Sequence, residues 1–272
     1  MRFRVLLVAP LVWAGVLGLG HLLLHGGSAY DAFLRTEIEM AKAMTLLGSW
    51  AAALAFERGA YLRRAWFFIG LCMALLLLRD LTLAPIGIEQ VGVDIALLRG
   101  VLVVLANISQ ILGTWMLARA WRVADLALPG PRWGQLGMLV ASVVMAGVLA
   151  GPGVVANGGR LVEGDLTVIP SAASALGDAI SLVLIAPLLL TALALRGGLL
   201  AWPWALLTTS YLAWLLYDAA LVFGPTLGLD NPSVRILSEL FRALGCLYGF
   251  SGGMAQRLVG AKLRSVRPGA AG

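Results

Sequence analysis

Charge is what this chain has least of. Asp, Glu, Lys and Arg make up 12% of its 272 residues, where a soluble domain carries roughly 25%. That shortage argues against an ordinary soluble surface. Its two cysteines, Cys72 and Cys246, lie in separate apolar runs, which speaks against a disulfide framework or a zinc site. The two histidines, His21 and His25, sit near one helix end, and no Cys/His/carboxylate cluster has metal-ligand spacing. No metal or other cofactor is expected. No serine/histidine or cysteine/histidine pair is placed to act as a nucleophile. Carboxylates alone would have to carry acid–base chemistry, so the chain is read as a non-enzyme. Its 20 bases outnumber its 14 acids, but they are scattered between apolar runs. A nucleic-acid footprint would gather them in one patch.

What remains is apolar. Hydrophobic residues make up 60% of the chain and the mean hydropathy is +0.92. The runs reach the ~20 residues that span a bilayer. The pattern predicts an all-α polytopic membrane bundle of eight spans. They run roughly 3–25, 36–55, 65–84, 94–120, 134–156, 170–195, 203–223 and 233–258. Pro85 is expected to end the third. Asn157, Gly158 and Gly159 are expected in a loop after the fifth. Arg2 and Arg4 precede the first run, but that run is long for a signal peptide and no clean cleavage site follows. An uncleaved span is expected.

Loop charge orients the bundle. One set of segments holds Arg2, Arg4, Arg58, Arg63, Arg64, Arg119, Arg122, Arg132, Arg196, Arg257, Lys262, Arg264 and Arg267. The opposite loops hold Arg35, Arg160 and Arg235. Both termini are therefore expected in the cytoplasm, with the protein in a bacterial inner membrane.

The chain also reads as two parallel four-helix halves, 1–125 and 134–260, with a basic tail at 261–272 expected to be disordered. "ALLLLRD", ending at Asp80, becomes "LAWLLYD", ending at Asp218. "LLRG", with Arg99, becomes "LFRA", with Arg242. Glu39 aligns with Asp178. The order of these residues is the same in both halves, which fits an axis along the membrane normal.

Charge inside an apolar span is expensive and marks a candidate site. The candidates are Glu39, Lys42, Arg79, Asp80, Arg99, Asp178, Asp218, Glu239 and Arg242. All fall on the extracytoplasmic side, the deepest roughly 10–13 Å below that surface at 1.5 Å per residue. Polar residues share helical faces with them: Ser171, Ser174 and Ser181; Asn107, Gln110 and Thr114; Thr208 and Tyr211. Gly245, Gly249 and Gly253 form a close-packing face. Six spans are expected to line an outward polar cup, with the first and fifth facing lipid. Asp80, Arg99, Asp218 and Arg242 are expected to form one cluster, in which a short loop brings Asp80 to Arg99 in the first half and Asp218 to Arg242 in the second. The arginines would take an anionic group and the acids a cation or a proton. The competing structural reading is that acids and bases pair to staple helices together.

The sixth span, "ALGDAISLVLIAPLLLTALALR", resembles a helix of the membrane-embedded sensor domains that precede bacterial histidine kinases and diguanylate cyclases. That resemblance implies about eight spans and a sensing role. No output domain follows the last span, so a separate cytoplasmic signalling partner is expected. A small-molecule ligand would arrive from the extracytoplasmic side. The alternative is a proton-coupled secondary transporter, and an intramembrane enzyme comes third.

Overall fold

The computed structural model describes residues 2–25, 27–82 and 95–265. Among them every regular element is helical. The long helices are α1 (Arg2–Leu24), α2 (Tyr30–Ala53), α3 (Tyr61–Thr82) and α4 (Ile95–Ala118). A single turn, α5 (Ala120–Val123), leads to α6 (Arg132–Leu149) and α7 (Gly151–Val162). Then come α8 (Ile169–Ala194), α9 (Ala201–Phe223) and α10 (Asn231–Ser265). The expected stop at Pro85 and the end of the basic tail lie outside the described residues.

Six of these helices, α1, α3, α4, α6, α8 and α9, are long and apolar enough to cross a membrane. The chain is a multi-pass membrane protein. α2 and α10 are as long but carry more charge, including Glu37, Glu39 and Lys42 on one and Arg235, Glu239 and Arg242 on the other.

The helices close into a ring. α2 packs on α3, α3 on α4, α4 on α8, α8 on α9, α9 on α10, and α10 back on α2. α1 leans on the outside of α10, and α6 and α7 on the outside of α8. The outer helices show why. Val8, Leu11 and Val12 of α1, and Val140, Val143 and Val144 of α6, are exposed apolar side chains. Such surfaces suit lipid and offer a polar cavity nothing.

Direction alternates along the chain. Phe3 at the start of α1 stacks on Trp202 at the start of α9, centroids 5.6 Å apart. At the other end His21 Nδ1 is 2.5 Å from the Tyr30 hydroxyl. Arg58, Arg63, Arg119, Arg122, Arg132, Arg196 and Arg257 consequently gather at one end, the basic face. Gly197, at φ +87°, turns the chain just beyond α8 there, a conformation that costs other residues more. At the far end, the Ser233 amide donates to Asp230 Oδ1 at 2.9 Å and caps α10. These Ser233 hydrogen bonds hold the exposed Asp230 carboxyl below its ordinary range.

α10 is wedged between α2 and α9. A Cβ at Gly253 would strike the backbone of Gly48 and Ser49, so glycine is what lets α2 and α10 meet backbone to backbone. Two hydroxyls pin the seam: Thr45 donates to Cys246 O at 2.5 Å, and Ser210 to Gly245 O at 2.6 Å.

Three expectations are corrected. The fifth span is not continuous to residue 156. It stops at Leu149, Ala150 sits at φ −100°, and α7 begins anew at Gly151. Pro152 has no amide to donate and its ring clashes with the carbonyl four residues back. Asn157, Gly158 and Gly159 are therefore helical, within α7, rather than in a loop. The basic tail is also helical at its start, because α10 continues to Ser265.

Candidate functional site

The ring encloses a cavity of about 270 Å3. Each of its six helices contributes a wall: Lys42 from α2, Cys72 and Arg79 from α3, Asn107 and Gln110 from α4, Ser174 and Asp178 from α8, Trp214 and Asp218 from α9, and Arg242 from α10. Two further clefts, of about 480 and 450 Å3, join it toward the far end. One lies against Ala150, Gly153 and Pro170 and shares Arg79, Asp178 and Asp218. The other holds Glu39, Asp80 and Glu239 and shares Lys42, Arg79 and Arg242.

The ring thus gathers eight of the sequence candidates into one connected space: Glu39, Lys42, Arg79, Asp80, Asp178, Asp218, Glu239 and Arg242. Arg99 is placed elsewhere. It is exposed near the start of α4 and lines none of these cavities. The expected four-residue cluster of Asp80, Arg99, Asp218 and Arg242 does not form. At 100° per residue Arg99 shares a helical face with Val103, Ala106 and Gln110, but it stands a turn nearer the start of α4, where its side chain is exposed.

The ion pairs also differ from the expected ones. Asp80 is held from two sides. Lys42 Nζ, on a side chain 7% exposed, donates to Oδ2 at 2.5 Å, and Arg79 Nε donates to Oδ1 at 2.7 Å. The Asp80 partner therefore comes from α2, not from α4. Arg242 Nη2 lies 2.9 Å from Glu239 Oε2, one turn earlier on the same helix. Asp178 and Asp218 make no ion pair or hydrogen bond among the described residues. Both face the same space, lining the central cavity and the cleft beside it.

The floor is polar and then abruptly apolar. Gln110 Nε2 donates to the Tyr211 hydroxyl at 3.2 Å, and Thr114 bonds the same oxygen. Gln110 Oε1 is left buried without a donor, and Arg242 Nε without an acceptor. Trp66, Leu117, Leu188 and Leu207 pack with Tyr211 in one cluster toward the basic face. Beyond that plug a second cavity, of about 530 Å3, opens among Phe56, Leu62, Leu195, Trp204 and Gly260.

Cys72, Trp214 and Tyr217 are wall residues that the search for intramembrane charge passed over. A usable signal was present: Tyr211, Trp214 and Asp218 recur at three- and four-residue steps on α9, one helical face. Among the described residues no group of His, Cys, Asp and Glu is arranged to hold a metal ion.

Comparison with known protein families, curated proteins and solved structures finds no match to this chain.

Proposed function

We propose that this protein is a small-molecule-binding membrane domain that senses its ligand from the extracytoplasmic side. One observation carries the reading: the central cavity, walled by all six ring helices and gathering charges that an apolar bundle would otherwise exclude. A pocket lined mainly by apolar side chains with a few convergent polar groups is the usual form of a small-ligand site. Its volume suits a compact ligand.

In this reading α2 and α10 also cross the bilayer, giving eight spans. Their charges turn inward to the cavity, so lipid does not meet them. The basic face is cytoplasmic by the distribution of arginine, with both termini there and the far end facing out of a bacterial inner membrane. The two halves form a parallel repeat. The packing pairs support this, since α2 on α10 answers α8 on α4, and α3 on α4 answers α9 on α10. The chain binds its ligand without transforming it and passes the signal to a separate cytoplasmic partner, in keeping with the resemblance of α8 to sensor-domain helices.

The cavity on the basic face favours a second reading, a secondary transporter with two alternating mouths about the Tyr211 plug. Cysteine accessibility separates the two. In a variant lacking Cys72 and Cys246, Ser174→Cys should react with a membrane-impermeant maleimide added outside intact cells. No reaction from outside would defeat the outward-facing cavity. Energisation that moves this reactivity to the cytoplasmic side would replace the sensor with the transporter.

A further inference from the structure

The walls of the central cavity differ in what they leave unmet. On the α2, α3 and α10 wall each cation already holds an acid: Lys42 and Arg79 share Asp80, and Arg242 has Glu239. On the α8 and α9 wall Asp178 and Asp218 hold nothing among the described residues. Over the cavity and its adjoining clefts, Lys42, Arg79, Arg242, Arg35 and Arg235 stand against Asp80, Glu239, Asp178, Asp218, Glu39 and Asp31, and the acids without a partner are concentrated on the α8 and α9 wall. The unmet hydrogen-bonding atoms lean the same way. On the cavity walls Asp178, Asp218 and the buried Gln110 Oε1 are acceptors, while Arg242 Nε is a buried donor without a partner.

The same wall carries aromatic rings. Trp214 and Tyr217 meet edge to face with centroids 5.6 Å apart, and both line the cavity with Asp218. Ring faces attract cations through their quadrupole, more strongly where water is excluded. Met73, Leu76 and Val103 supply an apolar lining for a hydrocarbon body.

We infer that the ligand is a small organic amine, whose ammonium group enters between Asp178 and Asp218 beside Trp214 and Tyr217, with its apolar part against Met73, Leu76 and Val103. This rests on the ligand-binding reading and names the chemical class that fills the site. Two carboxylates left open in a membrane cavity need compensating charge. A ligand ammonium supplies it and donates hydrogen bonds to the open acceptors. A free carboxylate ligand meets the reverse: Lys42, Arg79 and Arg242 each already face an acid, Arg242 Nε alone is left to donate, and Asp178 and Asp218 repel it.

The test uses the full chain in lipid nanodiscs, with thermal unfolding as the readout, since a ligand that binds the folded state raises Tm with concentration. Four probes share one ring size: cyclohexylammonium, cyclohexanecarboxylate, the zwitterion aminocyclohexanecarboxylate, and neutral cyclohexanol. Cyclohexylammonium is expected to raise Tm the most. Asp178→Asn and Asp218→Asn should each weaken its apparent affinity at least about tenfold, as loss of a close charge partner does. Arg160→Ala, an exposed residue that lines none of these cavities, should leave the affinity unchanged.

Tighter binding of the carboxylate or the zwitterion would overturn the amine assignment while leaving a ligand-binding cavity standing. Cyclohexanol matching the ammonium would reduce the effect to partition into lipid and overturn it as well. So would a wild-type Tm that none of the probes moves. In the absence of probe, both Asn variants should unfold no earlier than the parent, because neither acid has a partner to lose. A markedly lower Tm would show that these acids serve the fold, and that too would overturn the inference. The maleimide labelling of Ser174→Cys is read independently, so failure of the outward cavity and failure of the amine class are told apart.

Discussion

Asp80 on α3 and Asp218 on α9 end matching stretches of sequence, "ALLLLRD" and "LAWLLYD", yet they live in opposite electrostatic settings. Asp80 meets Lys42 from α2 and its own neighbour Arg79. The residues that align with those cations are Ser181 and Tyr217, and Asp218 is left with neither. The α2–α3–α10 corner is therefore closed by charge pairing, and by the glycine seam that draws α10 onto α2. The α8–α9 corner keeps its acids open and borders the broken α6–α7 outer layer. An intramembrane acid is a structural tie where cations stand beside it and is left open where they do not. Position along the helix does not decide between the two.

The sharpest way to break this contrast is to neutralise each aspartate. Asp80→Asn leaves Lys42 buried without its counter-charge and should cost about 3–5 kcal/mol of stability, read from thermal unfolding in one detergent. Asp218→Asn should stay within about 0.5 kcal/mol of the parent or exceed it, since no pair is broken. Equal losses at the two sites would mean that Asp218 also serves as a tie.

A second comparison uses one chemical change on two helices. Gly253→Ala drives a methyl group into the Gly48 backbone and should destabilise by about 1–3 kcal/mol. Gly147 on α6 has open space beside it. Alanine there should stabilise by about 0.5–1 kcal/mol through helix propensity alone. If both changes act alike, the seam is not the tight contact the geometry describes.

The hydroxyl of Tyr211, which ties α9 to Thr114 and Gln110 of α4, should be worth about 1 kcal/mol. Tyr211→Phe measures it by the shift in Tm. The smallest effects belong to the exposed pairs at the rim of each corner. Arg160→Ala beside Asp165 and Arg235→Ala beside Asp31 should each cost about 0.2–1 kcal/mol and lose even that in high salt. A salt-independent loss at either site would show a buried role.

The sequence made the helices legible because hydropathy repeats over whole spans. The sixth expected span, 170–195, and α8, Ile169–Ala194, differ by single residues. The ends of α6 were harder. Its composition stays apolar past Leu149, and the interruption depends on where the ring of Pro152 meets one carbonyl. Most charged candidates were legible too, since charge in an apolar run has few places to go but inward. Their partners were not. Asp80 was tied to Arg99 because a loop joins α3 to α4, whereas ring closure brings Lys42, 38 residues earlier in the chain, to the same carboxylate. Choice of partner is a property of how helices close around a centre, and neither spacing nor hydropathy encodes that locally.

The uninterrupted length of α10 has a mechanical consequence. Its 35 residues run without a break from the far-end cap to the basic face, roughly 50 Å at 1.5 Å per residue. Arg242 reaches the cavity from its upper third, and Lys262 stands near its lower end. A continuous hydrogen-bonded helix resists compression along its axis, so a displacement at Arg242 is carried toward Lys262. The glycine seam lets this shaft bear directly on the backbone of α2, without a cushion of long side chains to absorb movement. α6 and α7 lack that property, because the joint at Ala150 absorbs displacement before it travels. Of the helices around the cavity, α10 is the one built to convey motion from the far end to the basic face.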